Sequence, residues 1–279
     1  MENTTAAGKL LLRPIPDAAR YLAQMDRADA DADFYNQVSR NGEDLYAVCT
    51  EHETAGIASI CSDGFFYIYI FPEYRNRGCG YLAACAAEAQ LRAQGVQSFT
   101  TAYSSHNDVA IKLAKKCGFA KKFSSCVMQY PGEAFDLPEL PIRNHRDEDF
   151  YEAFTMSSEA FHIMRLETGH DPNSVPYPAD EETRQLCLAT AHERYIYTVD
   201  GEIVGCAHID GAEIDNVSVK ISRQGKGYGR NMVKFLVNVI LEKNIGAPFL
   251  YCLVANRKAW QLYRSLGFQE ISRNDYAVK

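Results

Sequence analysis

The sequence repeats itself at a fixed spacing of 149 residues, and this duplication constrains the fold more than any other feature. Each copy carries a glycine-rich turn, at 75–80 and again at 224–229. Identical residues occupy equivalent places in both copies: Gly78 and Gly227, Gly80 and Gly229, Asn107 and Asn256, Ala110 and Ala259, Leu113 and Leu262, Gly118 and Gly267, Phe119 and Phe268. Chance would not hold this register across a strand and two helices, so the sequence predicts a tandem duplication.

The second glycine turn lies between a predicted strand at 212–220 and a predicted helix. The helix is indicated by apolar residues at helical spacing: Met232, Val233, Leu236, Val237, Ile240 and Leu241. Strand, glycine turn and helix N-terminus together favour anion binding, because glycines allow close backbone approach and the helix presents free N–H groups. Lys226 and Arg230 add positive charge. The turn matches neither a P-loop nor a dinucleotide fingerprint, and a plain structural turn is the alternative interpretation.

Composition narrows the possible partners. The 279 residues are 47% hydrophobic, which suits one large domain or two smaller ones. The nine cysteines form no C-x-x-C pair and no zinc spacing with histidine, so we expect reduced thiols and no metal. A net charge of −7 without a strongly basic stretch argues against nucleic acid. No signal segment or membrane-spanning apolar run is present, so we expect a soluble cytoplasmic protein.

The first copy reads as a mixture of strands and helices. Strands are predicted at 9–15, 45–50, 56–61, 65–71 and 98–103, with helical segments at 17–40, from the glycine turn to about 95, and from 107 to 117. Asn107 is predicted to cap the last of these helices.

Three prolines between 131 and 141 indicate a linker, so we predict an N-terminal domain at 1–131, a linker at 132–141 and a C-terminal domain at 142–279. The second copy is predicted to contain strands at 140–143, 194–199, 202–209, 212–220 and 249–254, helices at 147–167, 180–193 and 257–266, and final strands after 269. The turns at 200–201 and 210–211 predict antiparallel hairpins. The segment 169–193 has no counterpart in the first copy and is interpreted as substrate-side material or a surface insertion.

With these features in place, the chain resembles the acyl-CoA N-acyltransferase superfamily known as GNAT. The signature of that superfamily is a Gln/Arg-x-x-Gly-x-Gly/Ala turn followed by Asn-x-x-Ala-x-x-Leu-Tyr-x-x-x-Gly-Phe. The second copy has every element: Gln224, Gly227, Gly229, Asn256, Ala259, Leu262, Tyr263, Gly267 and Phe268. The resemblance covers most of both halves and implies two tandem GNAT domains, each a mixed α/β fold.

The resemblance also implies a binding mode for acetyl-CoA. The donor would lie across a V-shaped opening between the fourth and fifth strands of the domain. Its pyrophosphate would bind the backbone amides of the turn, formed by Gln224, Gly225, Lys226, Gly227, Tyr228, Gly229 and Arg230. Its pantetheine arm would pair with the strand edge at Val217, Ser218 and Val219, and its thioester would lie near Asn256 and Tyr263.

Two side chains are implied to perform the chemistry. Glu213 matches the position of the glutamate base in GNAT histone acetyltransferases, with Asp215 on the same face as a reserve; a solvated carboxylate is the alternative for Glu213. Tyr263 matches the position of the acid that protonates the leaving thiolate; the alternative is a core tyrosine with a satisfied hydroxyl.

Other candidates are weaker. His208 could orient or deprotonate a substrate, but a buried, hydrogen-bonded histidine is the competing interpretation. Cys252 is interpreted as packing, since no histidine lies beside it in the sequence. In the first copy, Gly64 and Ala114 stand where Glu213 and Tyr263 stand in the second, so we predict that the N-terminal domain is catalytically degenerate.

The leading hypothesis is therefore an N-acetyltransferase that moves an acetyl group from acetyl-CoA to a primary amine of a small molecule or peptide, with its active site in the C-terminal domain. One alternative is a non-catalytic module that senses acyl-CoA and regulates a partner. Another is an acetyltransferase that acts on a protein amine.

Overall fold

A computed structural model of the chain describes residues 10–25, 32–173 and 179–279. The chain divides into two compact units, one formed by Met1–Ser125 with Arg273–Lys279 and the other by Cys126–Ser272. We call them unit 1 and unit 2. Both combine strands with helices, which confirms the predicted α/β class. Residue 9 of the first predicted strand, 26–31 of the first helical segment and 174–178 of the loop before 180 lie outside the described residues.

Unit 1 begins with an antiparallel sheet whose strands follow one another in chain order. These strands are β1 (Leu11–Pro14), β2 (Leu45–Cys49), β3 (Thr54–Ile60) and β4 (Phe66–Ile70). The helices are α1 (Ala32–Ser39), α2 (Cys79–Ala93) and α3 (Asp108–Lys116), and strand β5 spans Thr100–Ser104. Asn107 caps α3 as predicted, since its Oδ1 accepts a hydrogen bond of 3.0 Å from the amide of Ala110.

Unit 2 follows the same order with one additional helix. Its strands are β7 (Ile142–Asn144), β8 (Arg194–Val199), β9 (Glu202–Asp210), β10 (Glu213–Val219) and β11 (Phe249–Leu253). Its helices are α4 (Phe150–Thr168), α5 (Glu181–Ala189), α6 (Tyr228–Glu242) and α7 (Arg257–Ser265). Helix α5 lies in the segment that the first copy lacks.

Both predicted hairpins of unit 2 are present. Asp200 and Gly201 have φ values of 53° and 79°, the left-handed pair that a two-residue turn of type I′ requires. Strands β8 and β9 are antiparallel across this turn, and β9 and β10 are antiparallel across the turn at Gly211. The hairpins bring the start of β8, the end of β9 and the start of β10 side by side, at the same end of the three strands.

Two long strands of the structure differ from the sequence prediction. Strand β6 (Ala120–Gln129) received no assignment, and the segment after residue 269 forms the single strand β12 (Gln269–Val278). They occupy equivalent places in the two copies. Each runs through both units: β6 ends in unit 2 and β12 ends in unit 1. Unit 1 and unit 2 therefore differ from the predicted domains, because the end of β6 belongs to unit 2 and the end of β12 belongs to unit 1.

Helix α6 anchors the core of unit 2. Its apolar residues at helical spacing are fully buried: Met232, Val233, Leu236, Val237 and Ile240. The linker is also tied to this helix, because Asn238 accepts from the Phe135 amide at 2.7 Å and donates to the Phe135 carbonyl at 2.8 Å. Burial of one face fixes α6, and so fixes the glycine turn at its N-terminus.

Candidate active site

The two glycine turns have the same backbone conformation. In unit 2, Gly225 and Gly227 lie in the left-handed region at φ values of 76° and 91°. At the equivalent places in unit 1, Asn76 and Gly78 have φ values of 60° and 86°. Each turn follows a short 3-10 segment and leads directly into a helix of 15 residues. The duplication therefore extends to local geometry.

The turn of unit 2 is suited to an anion. A Cβ placed on Gly225 or Gly227 would meet no atom within 4 Å among the described residues, so the space beside them is open. The first helical bond of α6 runs from the Asn231 amide to the Gly227 carbonyl, at 3.0 Å. The amides before Asn231 therefore have no acceptor one helical turn back, and they remain available to a ligand.

One side chain fixes each turn to the strand before it. Gln224 donates through Nε2 to the carbonyl of Val219 at 3.1 Å. Arg75 donates through Nε to the carbonyl of Ile70, the equivalent residue, at 3.0 Å. This contact gives a physical reason for Gln or Arg at the first position of the motif.

Positive charge around the turn of unit 2 is only partly available. Lys220 and Arg223 both bind the carboxylate of Glu202, at 2.6 Å and 2.9 Å, and these cations lower the pKa of Glu202. Arg230 donates to the hydroxyl of Ser265 at 2.7 Å, which joins α6 to α7. Lys226 is exposed on the turn itself. Of these cations, Lys226 is the one most accessible to a bound anion.

Strands β10 and β11 pair only where they begin. Among the described residues their one parallel pair is Glu213 with Phe249, supported by a 3.0 Å bond from the Phe249 amide to the Ala212 carbonyl. Further along, β10 changes register against β9 between Asp215 and Ser218, with Asn216 at a φ of 53°. This irregularity is a β-bulge, and it includes Val217, the first of the residues at 217–219 that were predicted to pair with a pantetheine arm.

A cavity of about 330 Å³ lies beside this bulge. Aromatic residues of α4 form one wall, namely Phe150, Phe154 and Phe161, and Leu186 of α5 adds to it. The ionisable side chains of the wall include Arg165, Arg194, His208, Asp210, Glu213 and Asp215. The segment at 169–193 thus supplies cavity residues, in agreement with its interpretation as substrate-side material.

Three of the polar side chains form a row across neighbouring strands. His208 on β9 lies opposite Arg194 on β8 and opposite Asp215 on β10. Residues directly opposite on antiparallel strands share a face, so all three point to the cavity that they line. The row runs from a cation through an imidazole to an anion.

His208 is half-buried, and its Nε2 atom has no hydrogen-bond partner among the described residues. Burial lowers the pKa of His208, and the charge of Arg194 lowers it further. The imidazole is therefore neutral at pH 7 and able to bind a polar ligand atom. The competing interpretation, a buried and hydrogen-bonded histidine, does not hold for this nitrogen atom.

Asp215 lines the cavity, and its charge acts on the pKa of Tyr263. Its carboxylate accepts from the backbone and side-chain nitrogens of Asn216, at 2.7 Å and 2.6 Å, which fixes its position. Burial raises the pKa of Tyr263, and the nearby Cys252 and the negative charge of Asp215 raise it further. Tyr263 is 9% exposed and packs near Phe268, and it does not line the cavity. Its phenol stays protonated, as a hydrogen donor must.

The remaining predicted residues have structural contacts of their own. The hydroxyl of Ser218 binds Ser157 at 3.0 Å and the thiol of Cys206 at 3.1 Å, a network that the sequence did not reveal. Asn256 caps α7, since its Oδ1 accepts from the amide of Ala259 at 3.2 Å. If Ser218 pairs with a ligand, it therefore does so through its backbone.

The thiol of Cys252 is buried, and its proximity to Cys126 together with burial raises its pKa. A buried thiol of raised pKa is a poor nucleophile, in agreement with the interpretation as packing. Within the described residues, no group of three or more His, Cys, Asp or Glu could hold a metal ion. No helix in the described part of the chain is long and apolar enough to cross a membrane.

Comparison with known proteins identifies the fold. The model of the acetyltransferase (GNAT) family matches the chain twice, at residues 11–119 and 144–268. A search of curated proteins found no significant match. Among solved structures, a GCN5-related N-acetyltransferase from Sphaerobacter thermophilus is similar, with a TM-score of 0.71 and 18% identity over 97% of this chain and 95% of that chain.

Two further structures have a TM-score of 0.62 and 13% identity over 97% of this chain. One is a tandem GNAT protein from the clavulanic acid biosynthesis pathway, of which 98% is covered. The other is a GNAT family acetyltransferase from Colwellia psychrerythraea, of which 100% is covered. At such identities the likeness shows a shared fold. Together with the two family matches, it confirms the predicted tandem arrangement.

Proposed function

Because the chain belongs to the acetyltransferase (GNAT) family, we propose that it is an N-acetyltransferase with its active site in unit 2. It transfers the acetyl group of acetyl-CoA to a primary amine of a small molecule or peptide, directly and in a ternary complex. The observation that carries this proposal is the position of Glu213. This carboxylate lines the cavity and also stands where β10 pairs with β11, at the one residue pair that joins them in the described part of the chain.

The residues around the turn fit a CoA thioester. The open space at Gly225 and Gly227 and the N-terminal amides of α6 suit a pyrophosphate. The backbone of Val217–Val219 starts within the bulge and suits the amides of a pantetheine arm. Acetyl-CoA, bound there as the donor substrate, supplies the activated acetyl group.

Glu213 has the role of base. An amine with a pKa of about 10.4 costs about 4.6 kcal/mol to deprotonate at pH 7, and a carboxylate beside it lowers that cost. Glu213 accepts the proton directly or through a water molecule, and the neutral amine can then attack the acetyl carbon. Asp215 lines the same cavity and is the reserve base.

Tyr263 has the role of acid. Transfer forms a carbon–nitrogen bond and breaks the carbon–sulfur bond, which leaves a thiolate. Tyr263 donates its phenolic proton to that sulfur and regains a proton from solvent. The proton that Glu213 took from the ammonium group, and the second proton that the nitrogen loses as the amide forms, both return to solvent. Burial and the charge of Asp215 raise the pKa of Tyr263, so the phenol carries the proton that this role requires.

Unit 1 retains the turn without these groups. The sequence spacing aligns Gly64 with Glu213, but strand pairing aligns Phe65 with it. Phe65 bridges Thr100 as Glu213 pairs with Phe249. The bulge in β10 shifts the alignment by one residue.

None of Gly64, Phe65 and Ala114 supplies a base or an acid, yet the backbone at Asn76 and Gly78 repeats that of the second turn. We propose that unit 1 is catalytically degenerate and that any ligand of its turn is held without reaction.

The test is release of free CoA thiol from acetyl-CoA by the full-length protein, measured against a panel of amines and without amine. We expect release that depends on the amine, with the acetylated product detected by mass. Binding of acetyl-CoA without release by any acceptor would instead support the sensing role. Release only with polypeptide acceptors would support a protein substrate.

A further inference from the structure

Two arginines in the cavity lack a carboxylate partner. Neither Arg165 nor Arg194 forms an ion pair within 4.0 Å among the described residues, although both line the cavity. The Nε atom of Arg194 donates to the hydroxyl of Thr190 at 2.9 Å. This bond orients the guanidinium and leaves its two terminal nitrogens available. A half-buried guanidinium that lacks a counter-charge favours an anionic ligand.

The opposite side of the cavity is negative. Asp215 and Arg194 both lie opposite His208, one strand away on either side, so their Cα atoms are about 10 Å apart by strand spacing. Glu213 lies two residues along β10 from Asp215, on the same face. No ion pair within 4.0 Å joins Arg194 to Asp215 or Glu213 among the described residues, so a ligand with two opposite charges can bind between them.

Between these charged ends the wall is apolar. Phe150, Phe154 and Phe161 recur on one face of α4 and line the cavity. Leu186 of α5 lies there too. Such a surface favours contact with a hydrocarbon or aromatic group and disfavours a strongly hydrated one.

From this arrangement we infer that the acceptor is an amino carboxylate: an amine and a carboxylate joined by an apolar body. Its carboxylate binds the guanidinium of Arg194, with Arg165 adding charge, while its amine lies at Glu213 and Asp215. His208 contributes its Nε2 atom between the two ends. This inference deepens the proposed function and rests on it, because the proposed function places the amine at Glu213.

The experiment compares paired acceptors with the full-length protein. Each ω-amino acid, from glycine to 6-aminohexanoate, is compared with the alkylamine of the same length. For at least one chain length, we expect kcat/KM to be about ten- to a hundredfold higher with the carboxylate, as a charged hydrogen bond implies. Equal values at every length would overturn the inference and leave the proposed acetyl transfer intact.

Substitution of the arginine locates the effect. Arg194→Gln should remove the preference for the carboxylate: KM for the amino carboxylates should rise about ten- to a hundredfold, and KM for the alkylamines should change far less. Arg194→Lys should restore part of the preference, and Lys243→Gln, which removes an exposed cation at the far end of α6, should change neither. A preference that survives Arg194→Gln would contradict the assignment.

Binding of products separates this inference from catalysis. For at least one chain length from two to six carbons, the N-acetyl ω-amino acid should bind the wild-type protein more tightly than the N-alkylacetamide of the same length, and Arg194→Gln should equalise the two. That result without any thiol release would uphold the cavity assignment and refute the proposed enzyme. Equal binding by the wild-type protein at every chain length would refute the cavity assignment itself.

Discussion

The same place in the sheet is packed in one copy and open in the other. In unit 2, Arg194, His208 and Asp215 form a row across three strands. The corresponding row in unit 1 is Leu45, Ser59 and Tyr67, joined by the same pattern of strand pairing. All three of these unit 1 residues are buried, at 2–7% exposure. One duplicated scaffold has thus produced an apolar layer and a charged cavity.

The packing around Tyr67 explains how unit 1 is filled. Phe34 of α1 stacks on Tyr67 with ring centroids 4.4 Å apart, and Tyr69 and Phe71 belong to the same buried cluster. Strand β4 also pairs with β3 without a register shift, whereas β10 has its bulge. In unit 1, the regular strand and its aromatic side chains favour a buried apolar layer. In unit 2, the bulged strand and its carboxylates favour an open, charged cavity.

The largest expected difference between the copies is due to Tyr263. Tyr263→Phe should lower kcat about 10²- to 10⁴-fold, because the leaving thiolate loses its proton donor. The dissociation constant for acetyl-CoA, measured by calorimetry, should not change. Tyr151→Phe is the matched control, since that tyrosine of α4 is 60% exposed. Unchanged turnover of Tyr263→Phe would remove the acid assignment.

A second difference concerns the base. Glu213→Gln should lower kcat/KM about a hundredfold at pH 7. The deficit should shrink as the pH approaches the amine pKa of about 10.4, where the substrate is already neutral. A pH–rate profile from pH 6.5 to 10 measures this. If Asp215→Asn shows that profile and Glu213→Gln does not, Asp215 is the base.

The glycine turns allow the copies to be compared by the same substitution. Gly227→Ala forces a side chain into the left-handed region and should raise the KM for acetyl-CoA about tenfold, through roughly 1–2 kcal/mol of backbone strain. Gly229→Ala is the control: its φ is not positive, and a Cβ there would make ordinary contacts with Val219 and Leu262.

Gly78→Ala imposes the same strain on the turn of unit 1, where φ is 86°. It should leave the KM unchanged, and its effect on thermal stability should equal that of Gly227→Ala. If Gly78→Ala raised the KM as much as Gly227→Ala does, the productive donor site would be in unit 1.

The smallest expected effect is on stability against pH. The pKa of His208 is lowered in the folded state, so the unfolded chain binds more protons as the pH falls through about 6.5. The free energy of unfolding therefore has its full value, as far as His208 is concerned, above that pH and decreases below it. His208→Ser, which introduces the residue of unit 1, should flatten the dependence between pH 7.5 and 5.5. An unchanged slope in denaturant titrations would contradict this.

Local features of this fold were readable from the sequence. The duplicated spacing predicted the turns, because left-handed backbone requires glycine or asparagine at those positions. Helix α6 and the hairpins of β8–β10 followed from periodicity and from turn residues. The same duplication held an unused signal for the cavity: Arg194 stands where the first copy has Leu45, a cation in place of a core residue.

Long-range features were not readable. The walls of the cavity come from α4, α5 and three strands, and no local motif encodes their approach. Strand β6 begins with two lysines and has no clear alternation, so it resembles a loop until its pairing is known. The burial of Tyr263 in the core of unit 2, outside the cavity wall, likewise depends on packing between distant segments.

The end of β12 has a consequence for how the protein is made. Ala277 is fully buried in the core of unit 1, and Lys279 exchanges two 2.9 Å backbone bonds with Phe99. A ribosome delivers these residues after all of unit 2. Unit 1 therefore cannot be completed until unit 2 has been synthesised, although most of its sequence emerges first. Pairing of segments so far apart favours slow folding, and it means that neither half of the gene encodes a finished unit.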